Sequence, residues 1–305
     1  VAIGDGELLV FGGRSYRGSA EVFLDDTWIY STESGLWRSV DGSGPFARSQ
    51  HAMAYDPDRD EVLVFGGYVG SSFTYGDTWV LDVADEKWQR IDPTVAPSAR
   101  AGSVLSFDSN ADSYVMFAGA EEPPAAELPL AETWLFDPEV REWRQTETGP
   151  APVLVSEGHP TLFELAMVFD EVAGRTILLV AGESTWAFDS TSEEWTRVDS
   201  AQTQGLGADY MTAATYDVGQ GMTVAYGGAP VERTAHTWAY DSTTDRWTPI
   251  PGDNPGPLAN HAIAYDELTG AAYIFGGAQA VLVLDGVPPL SAAVWQLGEA
   301  GWVRR

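Results

Sequence analysis

One strand, repeated six times, constrains this chain more than anything else in it. An apolar stretch ending in Gly-Gly or Ala-Gly recurs as LLVFGG (8–13), VLVFGG (62–67), YVMFAG (114–119), ILLVAG (177–182), TVAYGG (223–228) and YIFGG (273–277). A tryptophan strand follows each: DTWIY (26–30), DTWVLD (77–82), ETWLFD (132–137), STWAFD (184–189), HTWAYD (236–241) and AVWQLG (293–298). A second tryptophan comes next, at Trp37, Trp88, Trp143, Trp195, Trp247 and Trp302. The spacing within a pair is nine residues in five copies and seven in the last, and all twelve tryptophans are used, two per copy. Copies two to six also carry a preceding element, HAMAYD (51–56), SVLSFD (103–108), LAMVFD (165–170), TAATYD (212–217) and HAIAYD (261–266). Each of these ends in aromatic-Asp and runs into a polar turn.

Self-similarity at a fixed period means a modular fold. Four short strands per copy, joined by turns, describe a propeller blade, here called a to d from the axis outward. The expected fold is therefore all-β, a six-bladed β-propeller with four antiparallel strands per blade. The copies divide one 305-residue domain into blades at about 1–44, 45–96, 97–149, 150–203, 204–254 and 255–305. A lone blade cannot bury both faces. A ring of six can, and each tryptophan brings on the order of 150–250 Å² to the contacts between neighbouring sheets. Copy one has only Val1–Ile3 ahead of its GDG turn, so its innermost strand is expected to be short.

The pattern resembles the kelch repeat family over essentially the whole chain. Paired glycines after four apolar residues, the aromatic-Asp ending and two tryptophans at fixed spacing carry the resemblance. It implies that the variable-loop face and the mouth of the central channel hold partner or substrate contacts. A related copper oxidase needs seven blades and a cysteine, and this chain has six copies and no cysteine. The iron site of plant specifier proteins of this family needs Glu, Asp and His spaced by threes. Glu232 and His236 supply only an E-x-x-x-H fragment.

Composition narrows the classes of function. The net charge of −29 repels phosphate backbones and anionic lipid, so nucleic acid and membrane surfaces are not expected partners. Lys87 is the single lysine. The acidity fits an extracellular or saline setting, or cation binding, and an extracellular or periplasmic location is favoured over a cytoplasmic one. No run of eighteen apolar residues exists. The start, VAIGDGELLVFGG, has no basic n-region and no apolar h-region, and without an initiating Met it reads as processed or trimmed. The absence of cysteine excludes disulfides, thiolate metal sites and a cysteine nucleophile. No motif for a nucleotide, a haem or a catalytic serine elbow is present. Acid-rich turns such as 56-DPDRDE-61 lack the glycine and distal Glu of a calcium loop and read as solvated hairpins.

Function is expected where the repeat varies. The b–c connections run RSYRGSAEVFLD in blade one, YVGSSFTYG in blade two, AEEPPAAELPLA in blade three, ES in blade four, APVERTA in blade five and AQAVLVLDGVPPLSA in blade six. A constant frame with variable loops on one side is how binding surfaces are built. Candidate ligand-binding residues on that face are Arg14, Arg17, Arg48, Tyr68, Arg100, His159, Asp209, Tyr210, Arg233 and His236. Arg48 and Arg100 close two P-x-x-R segments. His51 and His261 hold equivalent strand-opening positions in blades two and six, and with Glu164 they form the candidate catalytic set. The competing structural reading has each histidine bonding a neighbouring blade's backbone and P-x-x-R serving as a packing element. A metal would need three converging ligands, which the sequence does not display. Three functions fit: a binding scaffold for a protein segment or glycan, an enzyme for a small sugar-like or natural-product substrate at the channel mouth, and a structural domain of a larger secreted protein. His236 sits in a slot held elsewhere by Asp26, Asp77, Glu132, Ser184 and Ala293, which reads as a strand-opening, turn-capping position.

Overall fold

A computed structural model of the chain describes residues 1–17, 20–70, 73–121, 130–147, 151–152, 154–156, 159–160, 165–180, 184–198, 212–229, 234–279 and 291–305. Blade one holds β1 (Glu7–Arg17), β2 (Ala20–Ser31) and β3 (Trp37–Val40). Blade two holds β4 (Ala52–Asp56), β5 (Glu61–Phe65), a small ribbon of β6 (Tyr68–Val69) and β7 (Phe73–Thr74), then β8 (Thr78–Asp82) and β9 (Lys87–Ile91). Blade three is β10 (Val104–Asp108), β11 (Ser113–Phe117), β12 (Thr133–Asp137) and β13 (Glu142–Gln145). A second ribbon, β14 (Val155–Ser156) and β15 (His159–Pro160), precedes blade four, which is β16 (Leu165–Asp170), β17 (Arg175–Val180), β18 (Ser184–Asp189) and β19 (Glu194–Arg197). Blade five is β20 (Ala213–Asp217), β21 (Met222–Ala229), β22 (Thr234–Asp241) and β23 (Arg246–Ile250). Blade six is β24 (Leu258–Asp266), β25 (Ala271–Gln279), β26 (Val294–Gly298) and β27 (Gly301–Arg304).

Every blade is an antiparallel meander in chain order. The six form one propeller, with the innermost strands β4, β10, β16, β20 and β24 packed in succession around the axis. In blade one the stub Val1–Ile3 takes the inner position, through the Ala2↔Leu8 bridge and the Leu9 N–H to Val1 carbonyl bond of 2.8 Å. Blade six closes the ring against blade one through Leu8, Tyr30, Ala271, Tyr273 and Val294, with Trp37 and Phe275 packed alongside.

Three repeated devices explain why the motif residues recur. First, the second tryptophan of a blade donates its indole N–H to the threonine hydroxyl that precedes the first tryptophan one blade back. Trp88 reaches Thr27 (3.1 Å), Trp143 Thr78 (2.9 Å), Trp195 Thr133 (2.8 Å), Trp247 Thr185 (2.9 Å) and Trp302 Thr237 (2.8 Å). Each bond satisfies two polar groups inside an apolar joint. Second, the aspartate that ends most tryptophan strands and the inner strands caps the following turn. Asp56 accepts from the N–H groups of Asp58 and Arg59, Asp108 from Asn110 and Ala111, and Asp137 from Glu139 and Val140. The acids of these turns therefore have backbone work.

Third, the paired glycines meet two neighbours at once. Gly66 has φ of 67°, and a side chain there would collide with the Arg100 carbonyl oxygen of the next blade. Gly67 donates to that same carbonyl at 2.9 Å, and a Cβ on it would lie 3.0 Å from the His51 Cβ of its own blade. In blade three, Ala118 takes the first position with φ of 66°, an uncommon conformation for a residue with a side chain.

The structure differs from the sequence reading in blade one. Within RSYRGSAEVFLD, residues 14–17 and 20–25 are strand, not loop. β1 and β2 continue through it as a hairpin that projects beyond the blade, with Arg14 opposite Phe23 and Tyr16 opposite Glu21. A register shift between Phe11 and Gly13 redirects the strand there. Beyond it, alternation puts Arg14, Tyr16, Glu21 and Phe23 on one face of the hairpin.

Candidate functional site

The ends of strands b, the starts of strands c and the d-to-a connections gather on one face of the ring. Over blades one and two this face carries a connected group of aromatic and arginine side chains. The projecting hairpin leans on blade two through Arg14, whose Nη1 donates to Glu21 Oε1 (2.9 Å) and to the Tyr68 hydroxyl (3.2 Å). The guanidinium lies 5.9 Å from the Tyr16 ring, and Phe23 meets Tyr68 edge-on at 5.4 Å. Arg14 and Tyr68, both singled out from sequence, are thus brought together from different blades. Arg17 is exposed near the hairpin tip.

Behind this group stands a buried relay. Arg48 has no exposure, and its guanidinium grips Asp77 with two bonds, 2.6 and 2.9 Å. It also donates to the carbonyls of Phe46 and Gly66, both at 2.9 Å. Asp77 in turn accepts from the Trp79 indole at 2.7 Å. Burial opposes ionisation of Asp77, but the Arg48 and Trp79 donors outweigh it and hold the carboxyl below the usual carboxylate range. The Tyr75 ring lies over the Arg48 guanidinium at 4.0 Å, and its hydroxyl donates to the Ala47 carbonyl at 3.4 Å. Phe73 meets Tyr75 at 5.0 Å, edge-on. Phe73 is 57% exposed and Phe46, two residues before Arg48, is 71% exposed. A rigid aromatic step, Tyr75, thereby has the exposed Phe73 against its ring, and its hydroxyl meets the carbonyl next to the exposed Phe46.

Blade three repeats the relay with different parts. Arg100 is also buried; it donates to Glu132 Oε2 (2.8 Å) and to the carbonyls of Ser98 and Ala118, while Glu132 accepts from Trp134 (3.0 Å). The slot two residues before the first tryptophan is therefore an acceptor for that tryptophan's indole N–H. Asp26, Asp77, Glu132 and Ser184 all serve in this way. Sequence reasoning saw a capping position there and missed the pairing. It also missed Phe46 and Phe23. The signal for Phe46 was its place in P45-F-A-R48, where the next copy has Ser98.

The two equivalent histidines are sunk into the joints between blades. His261 is buried, its Nε2 lies 3.1 Å from the Tyr226 carbonyl of blade five, and its ring meets Tyr226 edge-on at 5.3 Å. His51 meets Phe11 of blade one in the same way, at 5.1 Å. Desolvation lowers the pKa of His261 to about 4. Desolvation, helped by the Arg48 cation, lowers that of His51 to about 3. Both rings are neutral near pH 7, and the Nδ1 atom of each is buried without a hydrogen-bond partner. His236 is exposed at the start of β22, its ring 6.3 Å from Trp238. Glu164, Asp209, Tyr210 and Arg233 lie outside the described residues, as does the side chain of His159, whose backbone pairs with Ser156.

Among the described residues, no three His, Asp or Glu side chains are grouped to hold a metal ion, and no helix is long and apolar enough to cross a membrane.

Residues 1–169 match the model of the KLHDC2/KLHL20/DRC7 Kelch-repeats domain. The chain is 30% identical over 118 residues to the flagellar outer-arm dynein alpha chain of Chlamydomonas reinhardtii, a match covering 37% of this chain and 2% of that protein. It is 29% identical over 160 residues to Adagio-like protein 3 of Oryza sativa subsp. japonica, and 28% identical over 155 residues to Adagio protein 3 of Arabidopsis thaliana. Each of those two matches covers 48% of this chain and 24% of the relative. The chain thus spans at most a quarter of the length of these relatives.

Proposed function

The chain belongs to the kelch-repeat family, and from that premise we propose that it is a protein-binding scaffold whose loop face over blades one and two docks a segment of a partner protein. One observation carries the reading: the exposed Phe73 packs edge-on against Tyr75, which is fixed from beneath by the buried Arg48–Asp77 pair, and the exposed Phe46 lies two residues before that same arginine. Aromatic side chains on a rigid support lose little freedom when a partner covers them, and they are enriched where binding energy concentrates. On the turn face the large exposed apolar residues are aliphatic and scattered, for example Leu36, Val140, Val172 and Leu268. Such residues are ordinary surface features.

The enzyme reading has less support. His261 commits one nitrogen to the Tyr226 carbonyl, and both candidate histidines lie within blade joints. Arg48 and Arg100 give their donors to in-chain acceptors, so in this reading they are supports, and Arg14, Arg17 and Tyr68 are contact residues.

The test runs a displayed peptide library and a glycan array against the purified chain and its Phe73→Ala variant. The reading expects peptides enriched on the native chain to bind the variant at least tenfold more weakly, because an aromatic hot spot is worth about 2 kcal/mol or more. Glycan hits without peptide hits, or peptides indifferent to Phe73→Ala, would overturn it.

A further inference from the structure

The tryptophan–threonine bond that ties each blade to its predecessor is absent at one joint. The threonine position of blade six is Val294, so the indole of Trp37 in blade one lacks the hydroxyl that its equivalents in the other blades reach. Val294 and Trp37 belong to the same apolar group, and Trp37 packs against Phe275 at 4.9 Å. Among the described residues, the side-chain hydrogen bond at that joint is on the turn face, where the Thr32 hydroxyl donates to Asp266 Oδ2 at 2.8 Å.

Two further braces fail in the same region. The acceptor for the first tryptophan's indole is Asp26, Asp77, Glu132 and Ser184 in blades one to four, but His236 in blade five and Ala293 in blade six. The Trp238 indole N–H is buried without a partner. The arginine relay exists in blades two and three, at Arg48 and Arg100, whereas the matching segment of blade six reads GPLANH at 256–261 and has no arginine. Blade six alone lacks all three devices. The joint on its other side keeps the indole bond, Trp302 to Thr237, so the gap is confined to the contact with blade one.

We infer that the ring has a built-in opening point between blades six and one, set by Val294 in the threonine position. Opening there frees blade one, with its projecting hairpin, from one neighbour while Trp88 to Thr27 still ties it to blade two. The inference is independent of what binds to the hairpin. It rests on the indole–hydroxyl bond made at five joints and missing at this one, since buried hydrogen-bonded pairs favour one packing arrangement over others.

Hydrogen–deuterium exchange of the whole chain, read by peptide, tests it with the native sequence, Val294→Thr and Thr133→Val. In the native chain β3 and β26 should exchange at least about fivefold faster than their equivalents at the blade two–three joint, β8 and β13, as expected for one missing bond near 1 kcal/mol. Val294→Thr should slow β3 and β26 by a similar factor and leave β8 and β13 unchanged. Thr133→Val removes the acceptor of Trp195 and should open a second fast joint at β12 and β19. Equal exchange at all joints of the native chain overturns the inference whatever the variants do. So does a Val294→Thr variant whose β3 and β26 rates match the native ones.

Discussion

Replacing Thr78 by Val isolates what the repeated indole–hydroxyl bond contributes. The change keeps the volume and the β-branched shape, so it opens no cavity and does not alter the preference of β8 for extended backbone. It removes only the acceptor of Trp143. That indole is 2% exposed and lies between Phe65 (5.2 Å) and Phe136 (5.0 Å), so no solvent reaches its N–H as a substitute. Leaving a buried donor unsatisfied costs about 1–3 kcal/mol. The same change at Thr27 is the internal control. Its partner Trp88 is only half-buried, so water substitutes in part and the expected loss is smaller, about 0.5–1 kcal/mol. Urea unfolding at 25 °C with matched slopes measures both. The double variant Thr78→Val, Trp143→Phe should lose less than the two single losses added, because the shared bond can be lost only once. The reasoning fails if Thr78→Val costs under about 0.5 kcal/mol, or if Thr27→Val costs as much as Thr78→Val.

Asp77→Asn should destabilise the fold by about 3–5 kcal/mol in the same assay, since it leaves the fully buried Arg48 cation without its counter-charge. Gly66→Ala should cost about 1–3 kcal/mol or more, because the left-handed backbone and the next blade's carbonyl both oppose a side chain. The histidines give a pH signature. The folded pKa of His261 is lowered to about 4 while the unfolded chain titrates near 6.5, so the unfolded state binds protons first and stability falls as pH drops from about 6.5 towards 4. His261→Gln should remove about half of that fall between pH 6.5 and 5, above the range where most carboxylates titrate, because His51, lowered to about 3, supplies a similar share; unfolding midpoints across pH check it.

The blades were legible because most motif residues serve the same physical purpose in blade after blade, the indole–hydroxyl bond at five joints. Phase alone places the tryptophan strands and the Asp-capped turns, and the few residues ahead of the GDG turn mark Val1–Ile3 as a short inner strand, which bridges Leu8 through Ala2. The partners of those residues were not legible. Nothing in D77-T-W says that the aspartate faces Trp79 and Arg48, or that Thr78 faces a tryptophan 65 positions later. Those contacts are set by how blades stack, and stacking is not a property of one repeat. The hairpin of blade one was misread as a loop because Gly12–Gly13 look like a stop. In fact the register shifts there and pairing resumes. Arg48 and Arg100 were candidates for ligand contact on account of their charge. Their burial follows from acceptors supplied by residues 18 to 32 positions away.

Docking on the loop face over blades one and two is the central claim, and a binding footprint tests it most directly. A peptide enriched on the native chain is added at saturation, and amide exchange is compared with and without it. The account predicts protection confined to residues 13–24, 45–48 and 67–76, lost in Phe73→Ala. Protection instead at the turns around 57–60, 83–86 and 138–141, with the hairpin of blade one unchanged, would contradict it.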